Sequence, residues 1–344
     1  MLIIRPCFWV SREKYFCTIK IIGITSAKIK KMTQLCLIVP CFNEEEIIES
    51  SYSKLSGLMK GLITKELLSD SSKICFVDDG SKDSTWSKLE KINASDDKVS
   101  IIKLSRNFGH QFALLAGLDN MVNLFDIFIT IDVDLQDDIS TMEEMIHQYH
   151  EGNEIVYGVR MDRSSDTVVK RKTAEFFYHL MKALGVNTVY NHSDYRLISN
   201  KVLIEFLRFK EVNLFLRGMF PMVGFKNSCV YYDRKVREAG VSKYPFGKMM
   251  AFAWEGISSF SIRPMRLILY IGVLTFLMSV TISIWAIIVL INGKTVPGWF
   301  STIFPITIFG GIQMISIGIL GEYIGKIYNE IKSRPRYIIE KIKK

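Results

Sequence analysis

Two carboxylates one residue apart, Asp132 and Asp134, follow an apolar run at residues 127–131. In an extended strand, residues i and i+2 point to the same side, so the two side chains converge on one spot. Like charges that close repel, and a divalent cation between them relieves the repulsion. Oxygen ligands suit Mg²⁺ or Mn²⁺, which keep coordination positions open for substrate phosphates. Such an ion neutralises the charge that builds on a departing nucleoside diphosphate. The same residues also fit a solvated acidic turn that caps the next helix, and the pair alone does not decide between the two.

Asp78 and Asp79 end a second apolar run and open the turn Asp-Asp-Gly-Ser-Lys-Asp-Ser-Thr at 78–85. A strand-end carboxylate can accept hydrogen bonds from a base edge or a ribose. Gly80 permits the tight turn, and Ser84 or Thr85 is placed to cap a following helix. The first apolar run closes in a similar way, with Pro40, Asn43, Glu44, Glu45 and Glu46. Asn43 reads as a helix cap, and the glutamates suit a first helical turn as well as a ligand. Farther along, Gly240, Ser242 and Gly247 surround Lys243 in a loop able to close over a diphosphate. Arginine grips phosphate as a fork and lysine as a point charge, although each cation taken singly also reads as surface charge. The five histidines, His110, His147, His150, His179 and His192, show no metal-ligand pairing and read as structural.

Strands ending at these acidic turns would position them. β-branched or apolar runs fall at 35–39, 74–77, 99–104, 127–131 and 155–159, with a helical pattern of Ile48, Tyr52, Leu55, Met59 and Leu62 after the first. Ala174, Phe177, Tyr178, Met181 and Leu184 make another helical face. Strand–helix alternation predicts a mostly parallel α/β sheet with helices on both faces, which binds ligands at the carboxyl ends of its strands. Residues 203–222 and 247–262, rich in Phe, Met, Leu and Trp, are expected as interfacial helices on a membrane, with core helices as the alternative. The runs 267–291 and 299–320 carry no charge, and about twenty apolar residues span a bilayer. Arg263 and Arg266 precede the first run and a lysine- and arginine-rich segment follows the second, so both chain ends are expected in the cytoplasm.

The 344 residues carry 44 Lys+Arg and 35 Asp+Glu, a net charge of +9 that suits an anionic partner. Six cysteines without CxxC spacing argue against a disulfide framework and for a reducing compartment, with Cys36 and Cys75 as buried apolar groups. Residues 1–31 show no signal-peptide pattern. They read as a disordered basic tail or as untranslated sequence ahead of a start at Met32, the second being preferred.

Taken together the motifs resemble glycosyltransferase family 2, in its branch of bactoprenol glucosyl transferases and dolichol-phosphate mannose synthases. The matching segments are VPCFNEEE at 39–46, VDDGSKDST at 77–85, LSRNFGHQFALLAGLD at 104–119, IDVDLQDD at 131–138, YGVR at 157–160, DYRLIS at 194–199 and REAGVSKYPFGK at 237–248. The two C-terminal apolar runs extend the resemblance to about 33–344.

The resemblance implies a GT-A-like, Rossmann-type catalytic domain at 32–235 and an acceptor loop with a juxtamembrane helix at 236–263. Two transmembrane helices at 264–322 and a basic cytoplasmic tail at 323–344 would follow. It implies that Pro40, Glu44, Asp78, Asp79 and Asp132 line the nucleotide pocket, and that Asp132, Asp134 and Gln136 hold Mg²⁺ or Mn²⁺ and the diphosphate. Arg160, Arg171, Arg237, Ser242 and Lys243 would bind donor or acceptor phosphates, and Asp194 would act with Asp134 at the reacting centre. A phosphate acceptor is already mostly ionised at pH 7, so Asp194 is expected to orient groups, with Arg196 or a substrate hydroxyl as its partner.

The implied reaction is inverting transfer of a sugar from a nucleotide-sugar to a polyprenyl phosphate at the cytoplasmic face of the inner membrane. Glucose from UDP-glucose comes first, followed by mannose, N-acetylhexosamine or aminoarabinose, and the product would serve O-antigen or envelope modification. A homo-oligomer, a tetramer by resemblance, is allowed, and no nucleic-acid partner is expected. Two rivals are a processive polysaccharide synthase and a non-enzymatic flippase or scaffold. The first lacks support because no tryptophan here follows an arginine.

Overall fold

The computed structural model describes residues 32–161, 192–212, 214–233, 263–292 and 298–344. Strands β1 (Leu35–Cys41), β2 (Lys73–Asp78), β3 (Val99–Leu104) and β4 (Ile127–Thr130) pair in parallel, in the order β4-β1-β2-β3. Helices α1 (Ile48–Thr64), α2 (Thr85–Ser95) and α3 (His110–Met121) make the crossovers. Parallel strands are covered on both faces, which is why β1 reads as a continuous apolar run and is buried throughout. Its period of two divides the core. Leu35, Leu37 and Val39 pack on the face under α1, α2 and α4 (Met142–His150), while Cys36 and Ile38 pack under α3. Gly117 lets α3 approach the sheet, since a Cβ there would lie 2.6 Å from Ile38 Cγ2.

Beyond β4 the sheet becomes mixed. β5 (Ile155–Arg160), β6 (His192–Ser199) and β7 (Asn227–Tyr232) extend it in the order β7-β5-β6-β4, with β6 antiparallel to both neighbours. This is the mostly parallel, GT-A-like sheet that the motif order implies.

Three expectations need correction. Residues 203–222 do not form one interfacial helix. They contain the short α5 (Asn200–Phe206) and α6 (Leu216–Met222), whose Leu203, Phe206, Leu216, Met219 and Phe220 are buried under the sheet, with Phe206 stacked on Phe220 at 4.1 Å. Burial of these rings in the core outweighs any use at an interface. Asn43 does not cap α1. It sits at φ 53° and accepts a hydrogen bond from Lys82 N at 2.9 Å, so the helix begins only at Ile48.

The third concerns the C-terminus. Helix α7 (Arg263–Ile291) is followed by α8 (Trp299–Ile331), which runs past residue 322, and within the expected basic tail residues 339–343 form an eighth strand. This strand, β8 (Ile339–Lys343), pairs antiparallel with β3 at the sheet edge. Tyr337 donates to Asp119 at 2.6 Å, and Lys343 and Glu340 pair with Glu90 and Lys103. Lysines on an edge strand discourage pairing with another chain, and they also make the segment read as a tail.

Within α8, the segment Ile308–Ile331 is long and apolar enough to cross a membrane, and it is the one such segment among the described residues. Helix α7 exposes Leu269, Val273, Leu277, Ile284 and Ile288. The helix expected over 174–184 and the segment 247–262 lie outside the described residues.

Candidate active site

The acidic turns gather at the carboxyl ends of β1, β2 and β4. Asp78 is fully buried at the end of β2, and its Oδ1 accepts from Ser81 N at 3.3 Å. Its Oδ2 is buried with no hydrogen-bond partner, which leaves one acceptor for a ligand donor such as a base N–H. Burial pushes the Asp78 carboxyl above its ordinary range, with the Ser81 hydrogen bonds opposing.

Asp79, expected beside it in the nucleotide pocket, is occupied differently. Its two oxygens accept from Phe108 N at 2.7 Å and Gly109 N at 2.9 Å. It therefore ties the β2 turn to the loop that launches α3. Gly80 completes this junction at φ 68°, where a Cβ would stand 2.4 Å from the Arg106 carbonyl carbon. Pro40 falls past the last β1–β4 pair, Ile38 with Thr130, where that ladder has ended. Glu44 N donates to Thr85 Oγ1 at 2.9 Å, joining the first two turns. Ser84 and Thr85 give α2 no side-chain cap; Asp83 instead accepts from Thr85 N at 3.0 Å.

After β4 the acidic run divides by role. Asp138 accepts from Ser140 N and Oγ and caps the next turn, which realises the capping alternative for that residue alone. Asp137, 3% exposed, takes the Arg160 guanidinium at 2.9 Å. Arg160, expected on a phosphate, is thus held by a carboxylate. Gln136 is buried, and its N donates to Asp134 Oδ1 at 3.4 Å, across the left-handed Leu135 at φ 47°. Asp132 Oδ1 is buried without a hydrogen-bond partner. Burial raises its pKa, with Asp194, Asp137 and Asp134 adding and His110 opposing. An orphaned oxygen among like charges is what a bound cation would relieve. Among the described residues no group of three or more His, Cys, Asp or Glu is arranged to hold a metal.

Strand β6 brings Asp194 to the same spot. Thr130 pairs with Arg196, and Thr130 Oγ1 donates to the Asp194 carbonyl, so Asp194 lies opposite the residues that follow β4. Its carboxylate receives Arg196 Nη2 on Oδ1 and Arg217 through Nε at 3.3 Å and Nη2 at 3.0 Å. His110, the first residue of α3, stands between the acids, its Nε2 3.4 Å from Asp132 Oδ1 and 3.5 Å from Asp194 Oδ2. Burial works to raise the Asp194 pKa, but Arg217, His110 and Arg196 hold the carboxyl well below the usual range. A carboxylate so paired is a poor base and a firm anchor.

His110, read from sequence as structural, therefore belongs to the site, as does Arg217, hidden in an apolar stretch. The signal for His110 was its place in the segment 104–119, and nothing local marked Arg217. Arg171, Arg237, Ser242 and Lys243 lie outside the described residues.

Residues 36–207 match the glycosyl transferase family 2 domain, and residues 263–327 match the GtrB C-terminal hairpin. A glycosyltransferase of Bacillus subtilis, YkoT, is 49% identical over 306 residues, covering 89% of this chain and 91% of its own. The SfII prophage-derived bactoprenol glucosyl transferase of Shigella flexneri is 41% identical over 310 residues, 90% of this chain and 98% of the relative. A prophage bactoprenol glucosyl transferase homolog of Escherichia coli K12 is likewise 41% identical, over 313 residues, 90% of this chain and all of the relative.

Proposed function

Since the chain belongs to glycosyl transferase family 2, and is a glycosyltransferase, we propose that it moves a sugar from a nucleotide-sugar onto a polyprenyl phosphate. Glucose from UDP-glucose is the first candidate, because the relatives at 41% identity are named bactoprenol glucosyl transferases. The observation that carries the reading is one folded unit in which the acidic turns close the strands of a sheet whose edge strand β8 follows the apolar helix α8.

The membrane part follows from β8. Because β8 hydrogen-bonds in the sheet that β1 begins, the chain between them must cross a membrane an even number of times. If Ile308–Ile331 crosses, α7 is the return span. Arg263 and Arg266 in the first turn of α7, with Lys332, Arg334 and Arg336 after α8, favour a cytoplasmic face for the whole sheet and an inner-membrane location.

In the reaction, Asp132 and Asp134 would hold Mg²⁺ or Mn²⁺, which when bound neutralises the departing nucleoside diphosphate. Asp78 offers its unpartnered Oδ2 to the nucleotide. By the family resemblance Pro40, Glu44 and Gln136 lie along the donor, and Arg171, Arg237, Ser242 and Lys243 bind phosphates. Asp194 is an orienting anchor, since an ionised phosphate acceptor needs no base. Inversion in a single in-line displacement then rests on alignment and charge compensation.

The test is a donor panel offered to the purified protein with undecaprenyl phosphate and Mn²⁺. Transfer from UDP-glucose above all other donors is expected. Transfer from a different donor replaces the sugar assignment, and transfer only to a non-lipid acceptor contradicts the proposal.

A further inference from the structure

Any phosphate carried on a polyprenyl chain keeps its tail in the bilayer, so its headgroup must enter the site from the side of the membrane helices. The segment leading into α6 connects those two places. Near the end of α8, Glu330 accepts Val212 N on both carboxylate oxygens at 2.9 Å, and Arg336 donates to the Phe209 carbonyl at 3.1 Å. At the other end Leu216 N donates to Gln111 Oε1 at 2.8 Å, beside His110. Arg217, the next residue, is thus fixed between the end of the apolar helix and the acidic site.

Charge explains what it does there. Arg196 and Arg217 are the permanent cations beside Asp194. A divalent cation on the Asp132–Asp134 pair would be matched by the donor diphosphate, so a phosphate monoester with about −1.5 to −2 charges needs a cation of its own. Among the cations, Arg196 is buried to 1% exposure and stacked on Phe220 at 4.8 Å, and Arg160 is engaged by Asp137. Arg217 keeps 35% of its side chain exposed while Asp194 orients its guanidinium side-on through Nε and Nη2.

Resting on the function proposed above, we propose that Arg217 is a binding residue for the acceptor phosphate and that Asp194 is its positioning residue. The fork of the guanidinium recognises the phosphate oxygens, and Asp194 sets its plane.

A phosphate at this position could belong to the lipid acceptor or to the donor diphosphate, and the experiment separates them. Wild type, Arg217→Lys and Arg217→Gln, which both leave Asp194 paired with the buried Arg196, are compared in detergent with Mn²⁺. KM for undecaprenyl phosphate, KM for UDP-glucose, kcat and UDP affinity by calorimetry are read for each. Loss of a charge-assisted contact should raise acceptor KM roughly tenfold or more in both variants. UDP affinity should stay within about twofold, an outcome that a merely structural role for Arg217 would not produce. Acceptor KM unchanged in both variants overturns the inference. UDP affinity falling in step with acceptor KM also overturns it, and moves Arg217 to the donor diphosphate. Wild-type protein that transfers to no polyprenyl phosphate defeats the proposed function and this inference with it. Wild-type transfer combined with an unaltered Arg217→Lys acceptor KM defeats the inference alone.

Discussion

Replacing Asp194 by alanine should unfold part of the site before it affects chemistry. The carboxylate is the partner of Arg196, whose side chain is 1% exposed, and of Arg217. Arg196 otherwise touches Phe220 and the Leu216 carbonyl, with Tyr157 facing it across β5–β6. None of these can take over a full charge. Removing one partner of a buried pair costs about 3–5 kcal/mol, most of it the desolvation of the charge left behind. Asp194→Asn keeps the shape and one acceptor oxygen, so a smaller loss of about 1.5–3 kcal/mol is expected.

Asp194→Asn/Arg196→Met leaves no fully buried charge unpaired, only the partly exposed Arg217, and should recover much of the difference. The assay is urea unfolding in detergent followed by fluorescence, with midpoint shifts converted through a common slope. The folded-state pKa is depressed, so the stabilisation is complete above the unfolded carboxyl pKa of about 3.9 and is lost as pH falls through the folded value. The gap between wild type and Asp194→Asn should therefore close in acid, and it should also narrow as pH rises through the raised His110 pKa, because Asp194 favours the protonated imidazole. An Asp194→Ala midpoint unchanged from wild type would refute the reasoning. So would a gap that persists unchanged into strong acid.

Asp134→Ala should fold and reach the membrane normally but lose transfer by about a thousandfold or more, because metal charge compensation is worth several kcal/mol. Chelation of wild type should reproduce that loss, and Mn²⁺ should restore wild type alone. Gly80→Ala, which combines φ 68° with a Cβ 2.4 Å from backbone, should cost about 2 kcal/mol or more, read as a lowered urea midpoint. Tyr337→Phe removes the 2.6 Å bond to Asp119 and should cost about 1–2 kcal/mol while leaving transfer intact at moderate temperature. A reporter fused after Lys344 should behave as cytosolic; activity of a periplasmic reporter there would contradict the cytoplasmic placement of the sheet.

The parallel half of the sheet was legible because buried parallel strands must be apolar on both faces, and β1 to β4 appear as apolar runs rich in Leu, Ile and Val. Strand β6 was not, since HSDYRLIS carries a carboxylate and a guanidinium that are buried only by pairing with each other. The pairing of Asp194 with Arg196 was foreseeable from their closeness in sequence, but the convergence of Arg217 and His110 was not. Those two come from α6 and α3, and only packing under the sheet unites them. Asp78 and Asp79 illustrate a second limit. Adjacent identical side chains point to opposite sides of a strand end, so one keeps an acceptor for a ligand while the other is consumed by the backbone of the α3 loop. Edge strand β8 was masked by its lysines.

The central claim is transfer of a sugar alone to a lipid monophosphate, and the mass of the lipid product tests it most directly. Purified protein is incubated with UDP-glucose, Mn²⁺ and undecaprenyl phosphate, and both products are analysed by mass spectrometry. The account predicts undecaprenyl phosphate heavier by a single hexose residue, with UDP as the released nucleotide in equal amount. A lipid diphosphate-sugar with UMP released, or hexose found only on water-soluble products, would contradict it.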